Sequence, residues 1–85
     1  LPVMGEILVR VTLYGTLHKR VAAYDAENGL MIVLREGDGV QALLARLGLG
    51  QVRLGFISVD GRLVTGDAPL HDGARVRIFQ PIFGG

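Results

Sequence analysis

The sequence predicts an α+β domain: one mixed sheet of four to five strands with one main helix packed across one face. Two β-branched-rich stretches come first, a single run of helical period follows, and shorter strand-like runs fill the rest, without a repeating strand–helix–strand unit. The chain has 85 residues, the size of one small domain, and is read as a single unit over residues 1–85 with 80–85 as a flexible C-terminal tail. It contains no cysteine, so stability has to come from a packed core, for which 49% apolar residues suffice. Nine Lys and Arg against eight Asp and Glu leave a formal net charge of +1. That balance speaks against a nucleic-acid footprint or a membrane-surface role, both of which need a basic excess. No apolar run has the length of a membrane span and no signal-peptide pattern is visible, so a soluble, cytoplasmic chain is expected. Leu1, Pro2 and Val3 precede Met4, as either an appended remnant or a native leader would.

The first strand is residues 7–14, in which Ile7, Val9, Val11 and Leu13 face the core while Arg10 and Thr12 point to the other side. Residues 16–28 are mixed and too long for a tight hairpin, so an elaborated loop or an extra short strand is expected, closing on the turn signal Asn28-Gly29. A second strand spans 30–35 with Ile32 and Leu34 inward, because the other register would bury Arg35. Then the period changes. Val40, Leu43, Leu44 and Leu47 stand at i, i+3, i+4 and i+7, the apolar stripe of a helix. Asp38 and Gln41 have the spacing of a capping box, and Gly48 or Gly50 would stop the helix. Residues 54–59 read as a third strand, Asp60-Gly61 as a two-residue hairpin turn, and 62–64 as a short return strand. Leu70 is a core anchor and Asp72-Gly73 a turn. Residues 75–79 form the last strand, with Val76 and Ile78 inward and Arg75, Arg77 and Phe79 outward. Pro81 cannot donate to a ladder, so the sheet ends there. The last strand is expected inside the sheet beside the first.

This order of elements is that of the ubiquitin-like β-grasp. Tyr14-Gly15-Thr16-Leu17-His18-Lys19 resembles the segment after the first strand in small sulfur-carrier proteins of the MoaD/ThiS family. Residues 34–44 resemble that family's strand, Glu-Gly turn and helix start; Val59-Asp60-Gly61 and Leu70-His71-Asp72-Gly73 resemble its hairpin and its Leu-x-Asp-Gly turn. Pro81-Ile82-Phe83-Gly84-Gly85 resembles its terminal Gly-Gly tail. Asp60 stands where members often carry Asn, and Phe83 where a small residue commonly precedes the glycines. The resemblance covers nearly the whole chain, and its length and long first insertion are closer to the pterin-cofactor carriers than to the shorter thiamine ones.

A carboxylate is a poor acyl donor because its leaving group would be oxide; transfer to AMP makes a mixed anhydride that a sulfur nucleophile attacks. The resemblance implies that the carboxyl of Gly85 is adenylated by a ubiquitin-activating-type enzyme and becomes a thiocarboxylate. That group would then donate sulfur in molybdenum- or tungsten-pterin synthesis. The receiving enzyme would be a pterin synthase large subunit or, in the thiamine branch, a thiazole synthase. ATP and a sulfur donor would be used by the activating partner, with no cofactor bound here and the chain a carried co-substrate rather than an enzyme. Gly84 and Gly85, lacking Cβ, could thread a channel that side chains would obstruct. Phe79, Arg75 and Arg77, with Pro81 and Phe83, form the candidate partner-binding patch, since aromatic and Arg residues are enriched as interface anchors. A ubiquitin-like modifier or interaction module is the alternative. His18 and His71 stand apart, without a metal-ligand spacing, and are read as solvated or turn-capping.

Overall fold

The structure, a computed structural model, describes residues 5–22 and 24–81. Five strands and one helix follow in the order β1 (Glu6–Leu13), β2 (Leu30–Arg35), α1 (Val40–Leu47), β3 (Ile57–Val59), β4 (Arg62–Val64) and β5 (Arg75–Ile78). The sheet order is β2-β1-β5-β3-β4, with β5 parallel to β1 and every other pairing antiparallel. The last strand therefore lies in the middle of the sheet beside the first, as the sequence leads one to expect. This is the β-grasp.

The period-two pattern sorts the strands into two faces. Ile7, Val9, Val11 and Leu13 of β1, Leu34 of β2, Ile57 and Val59 of β3, and Val76 and Ile78 of β5 are buried under the helix residues Val40, Leu43, Leu44 and Leu47. Leu70 is buried as expected, while Ile32 packs partly against this core. Gly48, at φ 75°, ends the helix in the left-handed conformation that favours glycine, and its N–H bonds back to the carbonyl of Ala45.

Two expectations are corrected. No side chain caps the helix: the N-cap is Gly39, and the Val40 N–H donates to the carbonyl of Ala68, 2.9 Å away. Asp38 is occupied elsewhere, accepting from the Arg35 N–H at 2.9 Å and closing the turn after β2. The unpaired donors of a helix start can donate to any well-placed carbonyl, and here a distant loop supplies one. Residues 16–28 form the elaborated loop, one of the two expected forms, with a 3-10 turn, Leu17–Arg20, and an Asp25-centred turn. Tyr24 closes that insertion onto the sheet, its hydroxyl accepting from the Leu13 N–H at 2.8 Å. Finally, β3 begins at Ile57, not at 54. Pairing with β5 continues through Phe79 N–H to the Phe56 carbonyl and Gly55 N–H to the Phe79 carbonyl, but the chain is no longer regular there.

Candidate functional site

The second face of the sheet carries no helix. Extending the strand registers, it reads in rows across the sheet: Val33 beside Leu8; Met31, Arg10 and Arg75; Thr12, Arg77, Ser58 and Leu63; and, nearest the tail, Tyr14, Phe79 and Phe56. Each large hydrophobic residue that is exposed among the described residues lies on this face: Tyr14, Met31, Val33, Phe56 and, at 69% exposure, Leu63. One such residue is ordinary on a protein surface; a contiguous set on one flat face is the mark of a docking surface.

Phe79 points to this face, as the alternation requires, but it is only half-exposed. Its ring stacks on that of Tyr14 with centroids 4.4 Å apart and planes 12° apart. An aromatic pair of this kind is worth about 0.5–1.5 kcal/mol beyond the area it buries. One residue on, the Gln80 side-chain carbonyl accepts from both the Thr16 N–H and the Thr16 hydroxyl, each at 2.9 Å. This amide lies so close to Gly15 that a Cβ there would overlap it, and a Cβ on Gly55 would overlap the Gln80 carbonyl oxygen. Two glycines thus form a collar through which the chain leaves the sheet. Gln80, placed in the tail by the sequence reading, is hydrogen-bonded to the body. Beside the collar an open groove of about 520 Å³ is lined by Thr16, Arg20, Gln51, Arg53, Gln80 and Pro81 among others. Phe83, Gly84 and Gly85 lie outside the described residues, as do Leu1 to Met4.

At the other end of the face the β3–β4 hairpin is tied to β5. Asp60 (φ 52°) and Gly61 (φ 86°) make the expected tight turn. The Asp60 N–H donates to the Arg75 carbonyl at 2.9 Å, and the Arg75 N–H returns to Asp60 Oδ1 at 3.0 Å. Asp60 Oδ2 meets His71 Nε2 at 2.5 Å. The Arg75 amide and then the His71 ring hold the Asp60 carboxyl below its ordinary range, and Asp60 raises the His71 imidazole above its own. His71 is thus a clasp on the turn, whereas His18 is exposed with Nδ1 3.1 Å from the Gly15 carbonyl. Among the described residues no group of three or more His, Asp or Glu side chains is placed to hold a metal ion.

Of the site residues expected from sequence, Arg75, Arg77 and Phe79 share one face and Pro81 follows at its edge. The sequence reading missed Tyr14, Met31, Val33, Phe56 and Leu63 as members of that face. Alternation alone assigned Arg10 and Thr12 to it and would have found Met31 and Val33, opposite in phase to Ile32 and Leu34. No local signal pointed to Gln80, whose partner Thr16 is 64 residues away.

A β-grasp sheet with one apolar–arginine face, and a collar at the end of its central strand, defines the class: a ubiquitin-like fold. The chain belongs to the ThiS family, whose model matches residues 11–85, through both terminal glycines, and so is a small sulfur-carrier-type protein. Among solved structures, it is similar to a putative molybdopterin converting factor, subunit 1, from Pyrococcus furiosus. That match has 23% identity and a TM-score of 0.71, and covers 89% of this chain and 99% of the other. A protein from Haloferax volcanii, solved in solution, matches at 20% identity and a TM-score of 0.70, covering 95% and 89% respectively. At these identities the two structures bear on the fold. No curated protein sequence matches the chain significantly.

Proposed function

We propose that this chain carries sulfur as a thiocarboxylate on Gly85 and delivers it in the synthesis of a molybdenum- or tungsten-pterin cofactor. The observation that carries this is the family match running through Gly84 and Gly85, on a sheet that anchors the chain up to Gln80. Four residues follow Pro81, a reach of at most about 13–14 Å if extended. A carboxyl on so short a leash is presented to an enzyme only if that enzyme grips the body. The bare face, with Arg75, Arg77 and Phe79 along β5 and Pro81 and Phe83 following in the sequence, serves as that grip.

The chemistry is divided accordingly. A ubiquitin-activating-type enzyme would let the Gly85 carboxylate attack the α-phosphorus of ATP, releasing pyrophosphate and leaving an acyl-adenylate. Hydrosulfide, or a persulfide later cleaved by a thiol, attacks the carbonyl carbon, and AMP departs with the displaced oxygen. The sulfur comes from outside, since these 85 residues include no cysteine. The chain acts as a carried co-substrate, not as the catalyst. A pterin synthase large subunit would receive the sulfur, in keeping with the name of the Pyrococcus neighbour. Delivery to a thiazole synthase is the second branch, kept open by the ThiS name of the family model.

Intact-mass measurement after incubation with the adenylating enzyme, ATP and a sulfur source tests the proposal. Exchange of one oxygen for sulfur is expected, and should vanish when Gly85 is deleted and be strongly slowed by Gly84→Ala. An unchanged mass, under conditions where a known carrier is converted, would refute it. Supplying the converted protein to each of the two receiving enzymes separates the branches.

A further inference from the structure

Three arginines lie side by side at the centre of the bare face. Arg10 on β1 and Arg75 on β5 are direct lateral partners in the parallel ladder, and Arg77 is the next residue of β5 on that face. All three are exposed. Like charges directly opposite on one face of a sheet destabilise it, so such a group normally carries intervening carboxylates. Here it does not. Among the described residues no carboxylate lies within ion-pair distance of these three guanidiniums. Two acidic residues at the rim are engaged elsewhere: Asp72 Oδ1 accepts from the Leu8 N–H at 2.8 Å, and Asp60 holds the Arg75 N–H and His71. Asp60 reaches Arg75 only as a longer-range attraction. Shallow hollows separate the arginines, one lined by Arg10, Met31 and Arg75 with Asp72 at its rim, another by Arg75 and Arg77 with Asp60 at its rim.

We propose that Arg10, Arg75 and Arg77 form a receptor for a cluster of carboxylates on a protein partner, and that this pairing sets partner affinity. This rests on the carrier reading above and names the chemistry of the partner's surface. Guanidinium groups bind carboxylates through two parallel hydrogen bonds, and are less costly to desolvate than ammonium groups. The surroundings select a protein over a nucleic acid. Met31 and Leu63 flank the arginines with aliphatic surface of the kind a protein partner buries, which base stacking does not use. The formal net charge of +1 also supplies little of the long-range attraction a polyphosphate backbone needs.

The inference has a signature that a structural role does not share: removing an arginine weakens docking and relieves repulsion within the free protein. The test measures ATP–pyrophosphate exchange by the adenylating enzyme, with this chain as varied substrate, together with the melting temperature of each variant. For Arg10→Gln and Arg77→Gln, KM should rise about tenfold with kcat little changed, because rim and interface charges act on association rather than on chemistry. Arg10→Glu should raise it further, and the effect should shrink as salt screens the charges. Melting temperatures should stay level or rise. Exchange by the wild-type chain with KM unchanged in the variants overturns this inference alone; no exchange by the wild-type chain overturns the carrier reading and this inference with it. A fall in melting temperature that parallels the rise in KM assigns the arginines to folding instead. Binding of a single-stranded oligonucleotide at moderate salt, abolished by Arg10→Gln, would replace the acidic protein partner with a nucleic acid.

Discussion

The two faces of this sheet are made by alternate residues of the same strands and have opposite fates. On β1, Val9 and Val11 are fully buried while Arg10, lying between them, is exposed. On β5, Val76 and Ile78 are buried beneath the helix while Arg75 and Arg77 stand in solvent. One face holds the domain together, because burial of its branched side chains is the main favourable term available to a chain without cysteine. The other face retains Met31, Val33, Phe56 and Leu63 without covering them. Folding does not require these residues to be apolar. The division between the faces thus separates the residues that hold the fold from those the proposed docking would use.

The sharpest way to break that division is to remove a leucine from each side. Leu43, fully buried on the helix, should lose about 2–5 kcal/mol of stability as Leu43→Ala, whereas Leu63→Ala should stay within about 0.5 kcal/mol. Urea unfolding reads both. Equal losses would mean that the bare face also carries the fold.

A smaller effect is expected where the two faces meet the tail. Gly55→Ala places a methyl against the Gln80 carbonyl oxygen and should cost about 1–3 kcal/mol by overpacking. It should also open the collar, seen as faster hydrogen exchange at the Thr16 amide, which Gln80 now occupies. Gln80→Ala removes the acceptor alone and should expose the same amide at a smaller loss of stability. If Thr16 exchanges at the wild-type rate in both variants, the collar does not hold the tail.

The smallest effect belongs to the clasp at the far end. His71 has a raised pKa through its bond to Asp60, so its contribution is complete below the ordinary 6.5 and is lost as pH rises through the raised value. Asp60, lowered first by the Arg75 amide and then by His71, contributes fully above the ordinary 3.8, and that is lost as pH falls through its lowered value. The clasp is thus at full strength between pH 3.8 and 6.5. Both groups are open to solvent, so the readout is the NMR titration of the ring rather than unfolding. Asp60→Asn keeps a residue that tolerates positive φ and should return the His71 midpoint toward 6.5. A midpoint that does not move would remove Asp60 as its cause.

Periodicity, turn chemistry and terminal composition are local properties, and they made much of this protein legible from its residues. Alternation placed Val9, Val11, Val76 and Ile78 in the core, the i, i+3, i+4, i+7 stripe placed Val40 to Leu47 on a helix, and Asp60-Gly61 turned the hairpin. Each depends on neighbours within a few positions, where backbone sterics and side-chain spacing decide the outcome. Where two local options competed, proximity along the chain misled: Asp38 had the spacing to cap the helix, but Ala68 from another loop took the Val40 N–H. The resemblance to the sulfur carriers rested on the order of such local pieces, and so survived folding.

What only the tertiary structure decided is the register that joins residues far apart in sequence. The sequence placed β5 beside β1, but the register of that parallel pair set Arg10 beside Arg75 and brought Tyr14 to Phe79. It also carried Gln80 to Thr16, across 64 positions, and so determined where the chain leaves the sheet. A period-two pattern states which face a residue is on, but it holds no information about which residue of the neighbouring strand lies alongside. That choice belongs to the packing of the whole sheet beneath its helix, and it is the choice that turned scattered arginines and aromatics into one surface.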